Sequence, residues 1–325
     1  MTTAPAIVTG SAGWLGHRLA HALVGGLPDT PGLETPAHRP WIRGLVRPSD
    51  DSTPLATLGD SLQRVAGDVT EPGSLAPLFL DAAGATVFHC AGVVHPRRRI
   101  RELYDVNMTG TRNVLEAARR AGVKRFIHVS SNSPLGCNPS ATHLFDESSP
   151  YRPYMNYGRS KKLAEDAVNR AGRDGDMETV IIRPPWFYGV GQPPRQSLFF
   201  KMIRDGGAPI LGDGLNRRSM AYVDNICQGL LRAEASPRAA GETYWIADER
   251  PYTMHEIVDT VERLLESEFG QTCAHKRLRL PWLAGEAATW LDRSIQALGL
   301  YNQKIHVLSE MNKTIACSID MARRD

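Results

Sequence analysis

The stretch Thr9-Gly10-Ser11-Ala12-Gly13-Trp14-Leu15-Gly16 decides the fold. An apolar run, Ala6–Thr9, leads into it and a helical pattern, Trp14–Val24, leads out, so it is a strand-to-helix turn. Glycines at this spacing let the backbone and the helix N-terminus meet a pyrophosphate. The pattern is Gly-x-x-Gly-x-x-Gly and not Gly-x-Gly-x-x-Gly, and a glycine-rich turn can be purely structural. Its position at the first strand-helix turn favours a dinucleotide site.

Outward from the loop, strands are expected at Ile42–Val46, Leu62–Ala66, Thr86–Cys90, Phe126–Val129 and Thr179–Ile182. Helices are expected at Ser74–Leu80, Arg101–Ala121 and Tyr157–Arg170. Such alternation predicts an α/β, doubly wound parallel sheet with right-handed crossovers, a Rossmann fold. Pro28–Pro40 holds four prolines in thirteen residues and reads as a surface insertion. After Arg183 the alternation stops in a Pro- and Gly-rich section, the start of a smaller, partly helical C-terminal lobe. We expect residues 1–183 and about 219–248 to form the dinucleotide-binding domain, and about 184–218 and 249–325 the substrate-binding lobe. The last residues, Ser318–Asp325, look like the opening of a helix with no stop signal, so a tail could be missing.

The 325 residues carry 38 basic side chains, 31 of them Arg, against 35 acidic ones; with 42% hydrophobic and 22% charged residues, collagen, coiled coil and bulk disorder are excluded. A net charge of +3 gives no reason to expect a nucleic-acid partner. No apolar run nears the roughly 20 residues that span a bilayer, and the start lacks a signal peptide, so a cytoplasmic protein without a membrane partner is expected. Five scattered cysteines have no zinc or disulfide spacing and read as small buried hydrophobes in a reducing compartment, with no metal site.

Two further positions bear on the cofactor. The second strand ends Leu45-Val46-Arg47, with Arg where NAD enzymes usually carry an acid; this favours the 2′-phosphate of NADP, with NAD as the alternative. Asp68, in Gly67-Asp68-Val69, suits the adenine amino group or, equally, a turn. Tyr157 and Lys161 lie four apart on one helix face. A neighbouring ammonium brings a phenol of pKa about 10 toward the working range, which suits proton transfer to a carbonyl oxygen.

With these motifs in order, joined by His89-Cys90-Ala91-Gly92, Asn107, Ser130-Ser131, Arg183-Pro184 and Arg218 before Tyr222-Val223-Asp224, the chain resembles an extended short-chain dehydrogenase/reductase. The likeness is to the branch of NAD-dependent epimerases, dehydratases and 3β-hydroxysteroid dehydrogenases, over nearly the whole chain. It implies that Ser131, five residues before Gly136, holds the reacting oxygen, with Ser130 as the neighbour that could be mistaken for it. Tyr157 would be the acid/base, Lys161 the partner of the nicotinamide ribose, and Asn107 a support for the lysine. Gly10, Ser11, Gly13, Trp14, Leu15, Gly16, Arg47, Asp68, Val69, Ala91 and Pro184 would complete the cofactor site. Arg218 and Asn132 would face substrate, with Arg217, Arg195 and the Arg97–Arg99 run as further phosphate candidates.

Departures qualify the likeness. Leu135 stands where the family often has tyrosine, and Asn132-Ser133 stands where 4,6-dehydratases carry Asp-Glu, which argues against dehydration. The insertion also lengthens the gap between the glycine loop and Arg47. A small-molecule substrate is expected, either a nucleotide sugar suited to Arg or an apolar cyclic alcohol or ketone, since Tyr222-Val223-Asp224-Asn225 and Leu280-Pro281-Trp282-Leu283 resemble the hydroxysteroid-dehydrogenase side of the branch. Trp186, Phe187, Tyr188, Phe199 and Phe200 could line an apolar pocket or pack the lobe's core. The readings are an NADPH-linked reductase or dehydrogenase, a nucleotide-sugar epimerase, and a cofactor-binding regulator. The family further implies a homodimer through the helices at Arg101–Ala121 and Tyr157–Arg170.

Overall fold

The computed structural model describes residues 4–325; the side chain of Arg195 lies outside the described residues. Strand β1 (Ala6–Thr9) enters α1 (Trp14–Gly25) through the glycine loop, and β2 (Ile42–Val46), β3 (Gln63–Ala66) and β4 (Thr86–His89) follow. Next come α2 (Arg101–Tyr104), a π-helical turn at Asp105–Gly110, α3 (Thr111–Arg120), β5 (Arg125–Val129), α4 (Met155–Arg173) and β6 (Glu178–Arg183). The chain then forms β7 (Trp186–Tyr188), α5 (Pro194–Arg204), β8 (Pro209–Leu211), β9 (Arg217–Arg218), β10 (Met220–Tyr222), α6 (Val223–Ala235) and β11 (Thr243–Trp245). It ends with β12 (Tyr252–Thr253), α7 (Met254–Ser267), β13 (Leu278–Leu280), α8 (Trp282–Ala297), α9 (Gln303–Glu310) and α10 (Asp320–Arg324).

Seven strands form one parallel sheet in the order β3-β2-β1-β4-β5-β6-β11. Strand order reverses between β1 and β4, and there the carboxyl ends leave a crevice for a ligand. Side chains alternate across β1: Ala6 and Val8 join Leu19, Ile226 and Leu230 on the α1/α6 face, whereas Ile7 joins Val87, Phe126, Val114 and Val168 on the α3/α4 face. Both faces are covered, as a parallel sheet requires.

A separate apolar cluster holds the lobe together: Ile203, Ile210, Met220, Met254, Ile257 and Val258, with Trp186, Tyr188, Phe199 and Phe200 against it. Four of the five aromatics offered as pocket lining or core thus pack, partly buried, against this cluster, and Phe187 stacks on Trp14 at 4.6 Å. Boundaries move elsewhere too. The expected helix at 101–121 is interrupted by the π turn, and the one at 74–80 is a 3₁₀ segment, Pro72–Phe79, kept from α geometry by Pro72 and Pro77. The strand expected to end at Cys90 ends at His89, and the Tyr157 helix begins earlier, at Met155. The insertion at 28–40 is tied down by buried Leu33 and by a buried ion pair from Arg39 to Glu234.

Candidate active site

The glycine loop is folded by contacts only glycine permits. Gly10 has φ +68°, and a Cβ there would meet the Ala91 backbone at 2.8 Å; one on Gly16 would strike the Gly10 carbonyl. The first strand-helix turn thus presses against the end of β4. Gly13 caps α1 without any side-chain hydrogen bond, and no acidic residue occupies the first turn. The helix N-terminus keeps its N–H groups and positive pole for an anion, the chemistry a pyrophosphate fits. Ser11 is fully buried and its Oγ donates to the Leu45 carbonyl at 2.8 Å, which locks the loop to β2. Leu15 is buried in the α1/α6 core, and the Trp14 indole donates to the Val190 carbonyl at 2.6 Å.

Around the loop, the remaining cofactor candidates gather at the strand ends. Arg47 directly follows β2, exposed, with its guanidinium on Asp50 at 2.8 Å. Asp68 Oδ1 accepts from the Thr70 amide and hydroxyl, both at 2.8 Å, so this carboxylate forms a turn as well as standing at the end of β3. Val69 and Pro184 are buried, and the Ala91 amide donates to Thr9 Oγ1 at 3.3 Å.

Ser130 and Ser131 leave the end of β5 in different directions. Ser130 Oγ donates to Glu165 Oε1 at 2.5 Å, inside a buried network in which Arg183 grips both Glu165 oxygens at 3.0 and 2.6 Å and Tyr151 adds a hydroxyl. Ser131 has no part in it; its hydroxyl lies 3.3 Å from Asn132 Oδ1 and accepts from the Ser133 amide. Helix α4 sits directly on this serine loop. The Tyr154 amide donates to the Ser133 carbonyl at 3.0 Å, and a Cβ on Gly158 would strike the same carbonyl. Tyr157 lies between these two anchors, half-buried.

One turn on, Lys161 is buried, and its ammonium donates to the Val129 carbonyl at 2.7 Å and pairs with His128 Nε2 at 3.3 Å. Burial pulls its pKa down to about 8, while Glu165 and Cys90 resist the shift. The two histidines behind it stay neutral: burial pushes His89 down to about 3 and His128 far below its usual value, with the Lys161 charge adding to both. A neutral imidazole can accept from the ammonium. Asn107, fully buried in the π turn, exchanges two hydrogen bonds with the Val93 backbone and donates to Ser160 Oγ at 3.0 Å. It joins the loop after β4 to the residue beside Lys161, and a π turn is a common way to aim such a side chain.

On the lobe side, Arg218 is buried, with Nη2 on the Glu310 carbonyl at 2.5 Å and Nε without a partner. Arg217 pairs with Thr253 across two short strands, and Arg97–Arg99 lie exposed, away from Arg218's buried setting. Two elements escaped the sequence reading. Glu165 continues the Tyr157-Lys161 series at the same spacing of four, a signal that was there to find. The lobe's approach to Tyr157 had none: Gln296 of α8 accepts from Asn156 Nδ2 at 2.8 Å and from its amide at 3.2 Å.

Comparison with known proteins gives the family. Residues 6–247 match the NAD dependent epimerase/dehydratase family. The chain belongs to that family. A protein of Sinorhizobium fredii, y4nL, which is itself uncharacterized, is 48% identical over 98% of this chain and 88% of its own length. A 4-hydroxy-2-methyl-3-oxo-4-farnesyl-3,4-dihydroquinoline-1-oxide ketoreductase of Stigmatella aurantiaca is 29% identical over 89% of this chain and 79% of its own. A dTDP-glucose 4,6-dehydratase of Streptomyces venezuelae, solved with NAD, superposes with a TM-score of 0.71 at 24% identity, covering 98% of this chain and 90% of that one. At that identity the superposition speaks for the Rossmann fold. As a member of an NAD-dependent family, the chain is an enzyme of the extended short-chain dehydrogenase/reductase type.

Proposed function

We propose that this family member is an NADP-linked reductase or dehydrogenase of a ketone or secondary alcohol. The observation that carries the reading is the split between the serines, with Ser130 spent on Glu165 and Ser131 left beside the start of α4. Ser131 then hydrogen-bonds the carbonyl oxygen, and Tyr157 passes a proton to that oxygen on reduction and takes it back on oxidation. Lys161 holds its ammonium between Val129 and the ribose, and Asn107 fixes the loop and helix that carry it. A bound nicotinamide supplies or accepts the hydride. Asn132 and Arg218 face substrate in this reading, and residues 1–183 with about 219–248 carry the cofactor while the remainder forms the substrate lobe.

Arg47 is the basis for NADP. Its guanidinium stands at the end of β2 on a short, exposed Asp50 contact that a 2′-phosphate could displace. The ketoreductase among the relatives supports ketone reduction. Asn132-Ser133, in place of an acidic pair, speaks against dehydration. An epimerase, returning the hydride to the same substrate, is the second reading, favoured by the buried Arg218 with its unpartnered Nε. A homodimer would form over α3 and α4, whose outer groove mixes Arg112, Arg119 and Arg170 with Glu116, Asp166 and Asp174. Such a surface can complement itself across a two-fold axis.

The test follows NADPH absorbance against a panel of apolar cyclic ketones and keto-sugar nucleotides, with sugar stereochemistry read by NMR. Net NADPH consumption is expected, with turnover lowered about 10²- to 10⁴-fold in Tyr157→Phe and cofactor affinity unchanged. Arg47→Ala should weaken NADPH about tenfold or more and leave NADH unaffected. Inversion of a nucleotide sugar with no net cofactor change would establish the epimerase instead.

A further inference from the structure

Helix α8 is amphipathic in the wrong direction for a helix of a globular core. Its inward face is small or polar: Gly285, Ala288, Thr289, Asp292 and Gln296 are buried. Its outward face is apolar. Leu283 is 68% exposed, Trp290 68% and Leu298 78%, with Trp282, Ala287 and Leu291 also exposed. Positions 283, 287, 290, 291, 294 and 298 fall on one half of the helix circumference, and only Ser294 among them is polar. At the far end the patch continues into Leu300, about half exposed.

Cations surround this face. Arg279 precedes it, Arg293 lies over the Trp290 ring at 5.5 Å, and Lys304 follows. The Arg97–Arg99 run, which no part of the active site uses, is fastened to the end of the same helix. Arg99 bridges Leu300, the Ile100 amide donates to the Gly299 carbonyl at 3.2 Å, and the Tyr301 amide donates to the Arg98 carbonyl at 2.9 Å. Among the described residues, Arg97, Arg98, Arg99, Arg279, Arg293 and Lys304 make no ion pair, whereas the nearest acid on α8, Glu286, is paired with Lys313.

We propose that α8 and the Arg97–Arg99 loop dock this enzyme on an anionic lipid surface. Tryptophan and leucine on one face with unpaired arginines at its edge is the composition of a helix that lies in the membrane interface. Anionic headgroups neutralise the cations while the apolar face leaves water. A second copy suits the surface poorly, because a two-fold contact would set one arginine edge against another, and the acids beside that edge, Glu102 and Glu286, are already engaged by the Arg97 amide and by Lys313. Among the described residues, no helix is long and apolar enough to cross a membrane, so this is attachment from one side. The absence of a spanning segment in the sequence suggested no membrane partner, and the proposal departs from that expectation. The substrate lobe then faces the phase in which an apolar ketone dissolves, a consequence that rests on the reductase reading, whereas docking itself does not.

Co-sedimentation of the full chain with vesicles decides the matter, using phosphatidylcholine alone and phosphatidylcholine mixed with phosphatidylglycerol, in low and high salt. Binding to the anionic vesicles is expected, with a blue-shifted tryptophan emission and loss in high salt. Arg98→Ser and Arg99→Ser should each weaken it about fivefold, and Leu283→Glu with Leu291→Glu should abolish it while circular dichroism stays unchanged. Failure of the parent protein to sediment with anionic vesicles overturns the proposal, as does binding that survives the double glutamate variant. A dimer in sedimentation velocity that Leu291→Glu dissolves also overturns it, since the face would then be a contact between copies.

Discussion

A buried ion pair in the sheet half and another in the lobe are built to different standards. In the sheet half, Arg183 grips Glu165 through two hydrogen bonds, and Ser130 and Tyr151 fill the remaining sites on the carboxylate. In the lobe, Asp292 of α8 meets His306 of α9 at 2.7 Å and Gln296 at 3.0 Å through one oxygen, while its other oxygen is buried without a partner. Guanidinium keeps its proton at any working pH, whereas imidazole does not. Burial pulls the His306 pKa down, but the Asp292 hydrogen bond and the charges of Glu310 and Asp292 outweigh it, so the net shift is upward. The frame that carries Ser131, Tyr157 and Lys161 is therefore pinned by a cation that keeps its proton as pH rises, and the lobe that reaches Asn156 through Gln296 is held by a proton that can leave.

The comparison is tested most severely by breaking the stronger pair. Arg183→Leu leaves Glu165 charged and buried, and we expect a loss of about 3–5 kcal/mol in urea unfolding. Adding Glu165→Leu should restore much of it; a double variant as unstable as the sum of the singles would show that the pair itself is not what matters. The weaker pair should cost less and should depend on pH. Because the folded pKa of His306 is raised, its contribution is complete below about 6.5 and disappears as pH rises through the folded value. Protection of α8 and α9 amides, measured as exchange relative to the intrinsic base-catalysed rate at each pH, should therefore fall toward alkaline pH in the parent. In Asp292→Asn protection should be lower by about 1–3 kcal/mol at acidic pH and nearly independent of pH. Protection that does not vary with pH in the parent would remove the proton from the account. The smallest effect separates the serines. Ser130→Ala should cost about 1 kcal/mol of stability with little change in turnover, and Ser131→Ala should do the reverse.

How much of this was legible in sequence follows the same division. Strands β1 and β4 to β6 are short, largely apolar runs, so the parallel sheet and the glycine loop could be read from local pattern and Tyr157 with Lys161 from their spacing of four, whereas Ser131 came from the family resemblance. Asn107 was legible as a residue, but the π turn that aims it was not, since nothing in Asp105–Gly110 breaks a helical period. In the lobe the usual inference fails for a physical reason. Apolar residues on a helix normally mark its inner face, and on α8 they mark the outer one, so Trp282 and Leu283, part of a stretch that resembles the hydroxysteroid-dehydrogenase side of the branch, lie on open surface. Asp292 and His306 are fourteen positions apart on different helices, and only the way those helices cross makes them a pair.

The last helix, α10, gives the lobe its mechanical character. Met321 and Ala322 pack on the α1/α6 core, and Tyr244 of β11 donates a hydrogen bond to Asp325 at 3.3 Å. The stretch between β11 and α10 is thus a handle riveted to the same plate at both ends. It is not free to swing like a domain on a single tether, and a cut in the exposed loop after α7 would leave both pieces attached.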